Sequence, residues 1–452
     1  VAVSKLLLIA PAGLEVQGVR GKHIHHLNLA ILAALGEKYF TEIEIAEEEF
    51  APLDLNQRPD LVGITMMTCQ AKRGYWLGDH FRGRGSKVIF GGSHISFRMD
   101  EGLKHADAVV KGEVENLWPQ IMEDFSRGDF EGKKYIADQP PDLALSPIPR
   151  KDLFIDQGTT LHAQGIQSSR GCPLGCRFCT VTQLYGRIFR TRPVAHVVEE
   201  IRRYPGRMYF FVDDNIFFSH KYAYELFEAL IPLKIKWGSQ ASLQFLCRDK
   251  ELLKLAARSG CISMFVGFES INQAALDRAH KGFNEVRKYA EQIKQIHRAG
   301  ICVFGAFIFG FDNDTPQTVR ETLDFVISNR LAMVNTGIMT PFPGTEIYEM
   351  LEREGRIFDY DYEHYTGGNL VWNHPNFVGH ELDELYYQFR CGFYSISSIA
   401  RRFWANRRHP LFYLSMNMSQ YNRTHHRFQG RQFDRFTGTR DSPRECNKAN
   451  AG

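Results

Sequence analysis

The chain is organised by one alternation, in which short apolar runs of strand length are each followed by a stretch whose apolar residues recur at helical spacing. In the first 126 residues the runs are KLLLIA (5–10), TEIEIAE (41–47), DLVGIT (60–65), KVIFGG (87–92) and ADAVVKG (106–112). Helical patterns such as HIHHLNLAILAALGEKY and VENLWPQIMEDF accompany them. Parallel neighbours can be reached only through a crossover, so strands alternating with helices predict an α/β chain with parallel sheets. Residues 1–126 read as a doubly wound, Rossmann-like domain, whose ligands would lie beyond the carboxyl ends of its strands.

A second series follows: GIQSSRG (165–171), RMYFFVDDN (207–215), IKWGSQASL (235–243), SMFVGFES (263–270), VFGAFIFGF (303–311) and MVNTGIMTPF (333–342). Six βα units are too many for a small sheet and fall short of the closed eight-unit barrel, so residues 165–355 read as a partial (β/α)6 TIM-type barrel. Residues 127–164 are rich in Pro, Gly and Asp without sustained period and read as a linker. Residues 356–452 read as a mixed, mostly helical C-terminal region with a helix at 380–405 and a basic, aromatic-rich tail.

Composition narrows the class. With 452 residues the chain exceeds one ordinary core, and 44% hydrophobic with 24% charged residues describes a globular protein. No apolar run approaches the ~20 residues of a membrane helix, and VAVSKLLLIAPAG has the period of a buried strand rather than of a leader. Nine cysteines, an odd number with one tight cluster, argue against an extracellular disulfide framework and for a reducing cytoplasm. Residues 401–452 hold eleven Lys/Arg against three Asp/Glu, a balance of +8, so the net charge of +3 leaves 3 − 8 = −5 for the rest. The tail interleaves Arg with Phe, Trp and Tyr. It reads either as a solvated, partly disordered end or as peripheral contact with an anionic surface at the inner membrane face.

The tight cluster is SSRGCPLGCRFCT, with Cys172, Cys176 and Cys179. Structural zinc would want four ligands, and no second Cys or His pair stands nearby. A disulfide would strand one thiol. Three packed core cysteines sit badly with Gly171, Pro173 and Gly175, which make the segment a loop. A 4Fe–4S cluster usually takes four thiolates, so three would leave one iron open to an exogenous group.

CPLGCRFC resembles the CxxxCxxC signature of the radical S-adenosylmethionine (SAM) enzymes, including the aromatic Phe178 before the last cysteine. The resemblance implies that Cys172, Cys176 and Cys179 hold a 4Fe–4S cluster whose open iron takes the methionyl amine and carboxylate of SAM. It also implies a 5′-deoxyadenosyl radical and a reducing partner such as flavodoxin or ferredoxin. By the same resemblance, Asp213, Asp214 and Asn215 of VDDN stand where the family holds the methionyl amine, though the usual Gly-Gly-Glu form is absent. Glu269 and Ser270 of GFES would reach the ribose, and Gly305 and Gly310 of GAFIFGF would line the adenine. Taken singly, such strand-end residues also serve as turns and caps.

The first domain resembles the cobalamin-binding module that precedes many of these enzymes. The matching residues are Thr65 and Thr68, Gly91 and Gly92, then Gly112 and Glu113. Glycines let the backbone approach a flat macrocycle, and hydroxyls can bond its nucleotide tail. The Asp-x-His-x-x-Gly motif of the lower cobalt ligand is absent, and His23, His25 and His26 read as solvated or capping residues. The resemblance therefore implies base-off cobalamin without a protein histidine ligand.

The branch it points to contains hopanoid C-methylases and the anaerobic Mg-protoporphyrin cyclase. It implies methylation of an unactivated carbon of a small molecule, a lipid or a tetrapyrrole, in which one SAM charges the cobalamin and a second supplies the radical. Cyclisation, oxygenation or rearrangement without methyl transfer is an alternative. An RNA-modifying or RNA-binding protein is another, suggested by the tail and by TPFPGT (340–345). The arginines match no standard reader, so nucleic acid is not expected as a partner. Cys69, Cys247, Cys261, Cys302, Cys391 and Cys446 read as isolated small hydrophobes, with Cys69 in a loop that would face a corrin.

Overall fold

Strand β1 (Lys5–Ala10) is buried from Leu6 onward, as a strand covered on both faces must be. Alternate residues serve opposite faces. Leu6, Leu8 and Ala10 pack with Leu29, Ala33 and Ile121 on one side, while Leu7 and Ile9 pack with Leu77, Phe81 and Phe90 on the other. With β2 (Glu42–Glu47), β3 (Leu61–Thr65), β4 (Lys87–Gly91), β5 (Ala108–Lys111) and β6 (Lys133–Ile136), it forms a sheet of order β2-β1-β3-β4-β5-β6. The recorded pairings are all parallel, with Leu6 opposite Ile43 and Thr65 opposite Gly91. The doubly wound domain is thus observed, with one strand more than the sequence pattern suggests. β6 lies in the segment read as linker, where only Tyr135 of its four residues is buried and the pattern is correspondingly faint.

This computed structural model describes residues 4–13, 24–155 and 163–427. His23, Cys446 and the tail beyond residue 427 lie outside the described residues. The chain divides into two units, Val1–Ile216 with Thr340–Thr366, and Phe217–Met339 with Gly367–Gly452. Unit 1 holds the first sheet and also the strands β7 (Gln164–Ile166), β8 (Ser169–Arg170), β9 (Arg190–Thr191) and β10 (Tyr209–Phe211). β7 and β10 pair in parallel, and β8 and β9 form a two-residue antiparallel pair.

Unit 2 carries β11 (Trp237–Ala241), β12 (Cys261–Glu269), β13 (Cys302–Phe309) and β14 (Met333–Ile338), parallel and in sequential order. Helices Lys250–Arg258, Tyr289–Ala299 and Pro316–Ser328 connect them. Their starts obey capping chemistry: Asp249 accepts from the backbone of Glu251 and Leu252, and Thr315 accepts from that of Thr318. The single helix expected at 380–405 is two, Glu381–Phe393 and Ile396–Asn406, because Ser395 caps the second by accepting from the Ser398 amide. A third helix, Pro410–Asn422, follows. Among the described residues no helix is long and apolar enough to cross a membrane.

Cys261 and Cys302 are buried and Cys247 is partly so. Burial pushes the Cys247 and Cys302 thiols up to about 12, consistent with packing rather than ligation. Cys391 is buried in the core as well.

His25 and His26 are neither solvated nor capping. His26 occupies the N-cap of helix Leu27–Gly36 without a side-chain capping bond. Both rings instead hold the buried carboxylate of Glu47, with Nδ1 at 2.5 Å and 2.8 Å. Burial alone would raise the Glu47 carboxyl, but the two imidazoles outweigh it and hold it at about 2, against an ordinary 4.5. Because the folded value lies below the unfolded one, the stabilisation is present above pH 4.5 and is lost as the pH falls towards 2. Glu47→Gln is therefore expected to lower stability at neutral pH by about 3 kcal/mol and to flatten the acid limb. Thermal unfolding across that range checks it, and an unchanged acid limb would refute it.

Candidate active site

The three cysteines lie in the loop between β8 and the short helix Thr180–Tyr185, and each is partly exposed. Two glycines allow the loop. Gly171 has φ +89°, and a Cβ there would stand 2.4 Å from the Ile188 carbonyl oxygen; Gly175 has φ +69° and would meet the Arg187 guanidinium. The Cys179 amide donates to the Cys176 carbonyl at 3.1 Å, and Cys179 sits at the N-cap of the helix. Among the described residues, no three of His, Cys, Asp and Glu gather round a single ion position. A cubane asks for a different arrangement, in which each thiolate takes its own iron and the sulfurs stand apart.

The VDDN residues brace this loop. Asp213, fully buried, accepts from the Ser168 amide at 3.1 Å, from the Ser168 hydroxyl at 2.7 Å and from the Ser169 hydroxyl. Asp214 accepts from the Gly171 amide at 2.9 Å, one residue before Cys172. Burial raises both carboxyls, that of Asp214 to about 6. Asn215 is fully buried beside them. Phe178, between the second and third cysteines, is partly exposed.

In unit 1 a cavity of about 210 Å³ opens at the carboxyl ends of β3, β4 and β5. Five of the six residues expected to meet cobalamin line it: Thr65, Gly91, Gly92, Gly112 and Glu113. Thr68 does not; it is buried in the turn Thr68–Gln70. The glycines differ in their reasons. A Cβ on Gly92 would collide with the Met66 backbone at 2.6 Å, and Gly112 has φ +83°, whereas a Cβ on Gly91 would meet nothing within 4 Å. Only Gly91 is glycine for the sake of open space, which is the cradle a bound group would fill.

The same cavity is lined by Gln167, Arg170 and Tyr185, which flank the cysteine loop. Arg170 pairs with Glu113 and, at 2.7 Å, with Glu115. Arg190, opposite Arg170 in the β8–β9 pair, also holds Glu113, through both carboxylate oxygens. One buried carboxylate on the rim of the cavity thus fastens both stems of the cysteine loop. Sequence reasoning missed Arg170 and Arg190. Their signal was position alone, one arginine just before Gly171–Cys172 and one at the loop's return.

Unit 2 holds the remaining expected residues. Glu269 ends β12 at φ +63° and pairs with the buried Lys281 at 2.5 Å, while the Ser270 hydroxyl accepts from the Asn272 amide. A Cβ on Gly305 would press on Leu331 and Phe307. Gly310, at φ +101°, donates its amide to Asp314, whose carboxyl burial pushes up to about 6.

Residues 166–326 match the family described as the Radical SAM superfamily. The bacteriochlorophyllide d C-12(1)-methyltransferase of Chlorobaculum tepidum is 31% identical over 407 residues, covering 88% of each chain. This chain belongs to the radical SAM superfamily. A second relative from the same organism, the bacteriochlorophyllide d C-8(2)-methyltransferase, is 31% identical and covers 77% of this radical SAM enzyme and 81% of its own chain. Among solved structures, the cobalamin-dependent SAM radical enzyme OxsB, with aqua-cobalamin and SAM bound, aligns with TM-score 0.69 at 14% identity, over 93% of this chain and 72% of its own. That likeness shows the fold, a doubly wound N-terminal domain followed by a radical SAM barrel. Membership carries a 4Fe–4S cluster and SAM with it.

Proposed function

We propose that this radical SAM enzyme is a cobalamin-dependent C-methyltransferase that places a methyl group on an unactivated carbon of a tetrapyrrole. The observation that carries the reading is the shared wall in unit 1: the cavity built by Thr65, Gly91, Gly92 and Gly112 is also lined by Arg170 and Tyr185 of the cysteine-loop stems. A methyl carrier and a radical source must act on one substrate carbon, which requires neighbouring sites. The tetrapyrrole is inferred from the two bacteriochlorophyllide methyltransferases among the relatives.

Cys172, Cys176 and Cys179 would hold the cluster, with Asp214 fixing the Gly171 end of their loop. A cavity of about 210 Å³ is smaller than the ~300–1,000 Å³ of a whole small-molecule site. It would suit one part of the cofactor, such as the aromatic base of a nucleotide tail, rather than the whole. His25 and His26 are committed to Glu47 and so would not be cobalt ligands, which supports the base-off form. When bound, the cluster with SAM supplies hydrogen abstraction from an unactivated C–H bond, and cobalamin supplies the methyl carrier. Thr65 would donate to the tail, Gly91 would admit its ring, and the buried strands around them would keep water out. The electron donor would be of the flavodoxin or ferredoxin class, as the reducing cytoplasm provides.

Anaerobically reconstituted protein is expected to hold about four irons and one cobalt per chain, and to convert a bacteriochlorophyllide-type substrate to a product heavier by one CH₂. Protein that retains no cobalt, or a product that loses hydrogens without gaining carbon, would overturn the reading. Gly91→Val offers a sharper check, because its side chain would enter open space. The apoprotein should unfold as the wild type does, while cobalamin affinity measured spectroscopically drops at least about tenfold, a loss of ~1.4 kcal/mol. Undiminished affinity would remove the cavity from the cobalamin site.

A further inference from the structure

The last two helices of unit 2 turn an apolar stripe inward, with Ile399 and Tyr413 buried and Phe403 packed against them, as a surface helix does, but they bury polar groups beside it and leave apolar ones outside. The buried positions of Ile396–Asn406 include Ser398, Arg402 and Asn406, and those of Pro410–Asn422 are Tyr413 and Asn417. They form a buried polar network. The fully buried Arg402 donates to the carbonyls of Leu331, Ala332 and Phe393, to Asn417 Oδ1 and to Ser398 Oγ, with its guanidinium 3.7 Å above the Phe393 ring. The Asn417 amide donates to Ala332, and the Tyr413 hydroxyl donates to Ile399.

The outward faces are apolar as well. Trp404 is 64% exposed, Leu411 82% and Ile396 53%, joined by Leu414 and Met418. Leu411, Leu414 and Met418 stand at i, i+3 and i+7 and so share one face. Arg401, Arg407 and Arg408 are exposed among them, with Arg407 5.9 Å from the Trp404 ring. Between Glu384 and Asp434 the sequence has eight arginines and no Asp or Glu.

Water gives no reason to show this set of side chains, since contiguous exposed apolar surface marks a contact. Leucines, a tryptophan and arginines without carboxylates are the composition of a helix lying at the surface of an anionic bilayer. There the apolar chains enter the headgroup region, the indole sits at the interface, and the arginines meet lipid phosphates. We propose that the outward face of helices 396–406 and 410–422 docks on an anionic lipid surface. An acidic protein partner would satisfy the charge as well, and binding that does not depend on the anionic lipid would point to it.

The test is co-sedimentation of the full-length holoprotein with phosphatidylcholine vesicles, with and without phosphatidylglycerol. The wild type should sediment with the phosphatidylglycerol vesicles alone, and less so at high salt. Trp404→Ala with Leu411→Ser should reduce the bound fraction at least about tenfold while leaving thermal unfolding and SAM cleavage unchanged, because both side chains are exposed. Arg401→Gln with Arg407→Gln, which keeps the apolar residues, should weaken binding at low salt. No sedimentation with either vesicle, or equal sedimentation of the Trp404→Ala, Leu411→Ser variant, would overturn the proposal. So would a dimer that this variant turns into a monomer, since the face would then belong to a second copy.

Discussion

Cys176→Ala is expected to leave the chain folded but without its cluster, and to cut reductive SAM cleavage to below about a thousandth of the wild-type rate, a loss of more than ~4 kcal/mol of barrier lowering. Two bound thiolates cannot hold a cubane that already lacks its fourth protein ligand. The fold should survive because the loop is braced from outside it, by Asp214 at Gly171 and by the two arginines on Glu113. Cys172→Ala and Cys179→Ala should behave alike. Cys247→Ser is the control, since its buried thiol lies far from the thiolate form at neutral pH. Iron analysis and the spectrum of the reduced cluster decide the matter. A Cys176→Ala protein that keeps a full cluster would move the ligand set elsewhere.

Glu113→Gln should do comparable damage by another route. The carboxylate is 8% exposed and lies between Arg170 and Arg190, so its loss takes the carboxylate from Arg190 and leaves Arg170 with Glu115. Breaking a buried pair in this way typically costs ~3–5 kcal/mol. The strain falls on the stems of the cysteine loop and on the cavity rim together. Faster iron loss to a chelator and weaker cobalamin retention should therefore appear in the same variant. Glu113→Gln with Arg190→Gln should be less damaging than the sum of the two, because the second change removes the stranded charge. Wild-type thermal stability and iron retention in Glu113→Gln would show that the clamp holds nothing. Glu113 matched the expected cofactor set, yet both of its oxygens are engaged by the protein. It is better described as a positioning residue.

Much of the fold was legible because burial on both faces forces near-continuous apolar runs. KLLLIA and VFGAFIFGF become β1 and β13 almost residue for residue. KKYI escaped because an edge strand with one buried residue has no such pattern. The cysteines were legible because their spacing is local. The Glu113 clamp was not, since its arginines lie 57 and 77 residues away and long-range ion pairs leave no periodic trace. His25 and His26 misled for the same reason, their partner Glu47 being on β2, 22 and 21 residues away. The outward leucines of the last helices were hidden by composition, which reports that a segment mixes arginine with apolar residues but not which of them faces inward.

The two-residue pairing of β8 with β9 has a consequence for how this enzyme matures. It brings the two ends of the cysteine loop together through the backbone, with none of the three cysteines taking part in the pairing. The entropy of closing that loop is thus lost during folding rather than when iron arrives. A cluster held by this loop would therefore have less of the chain to order than one held by a loop with free ends.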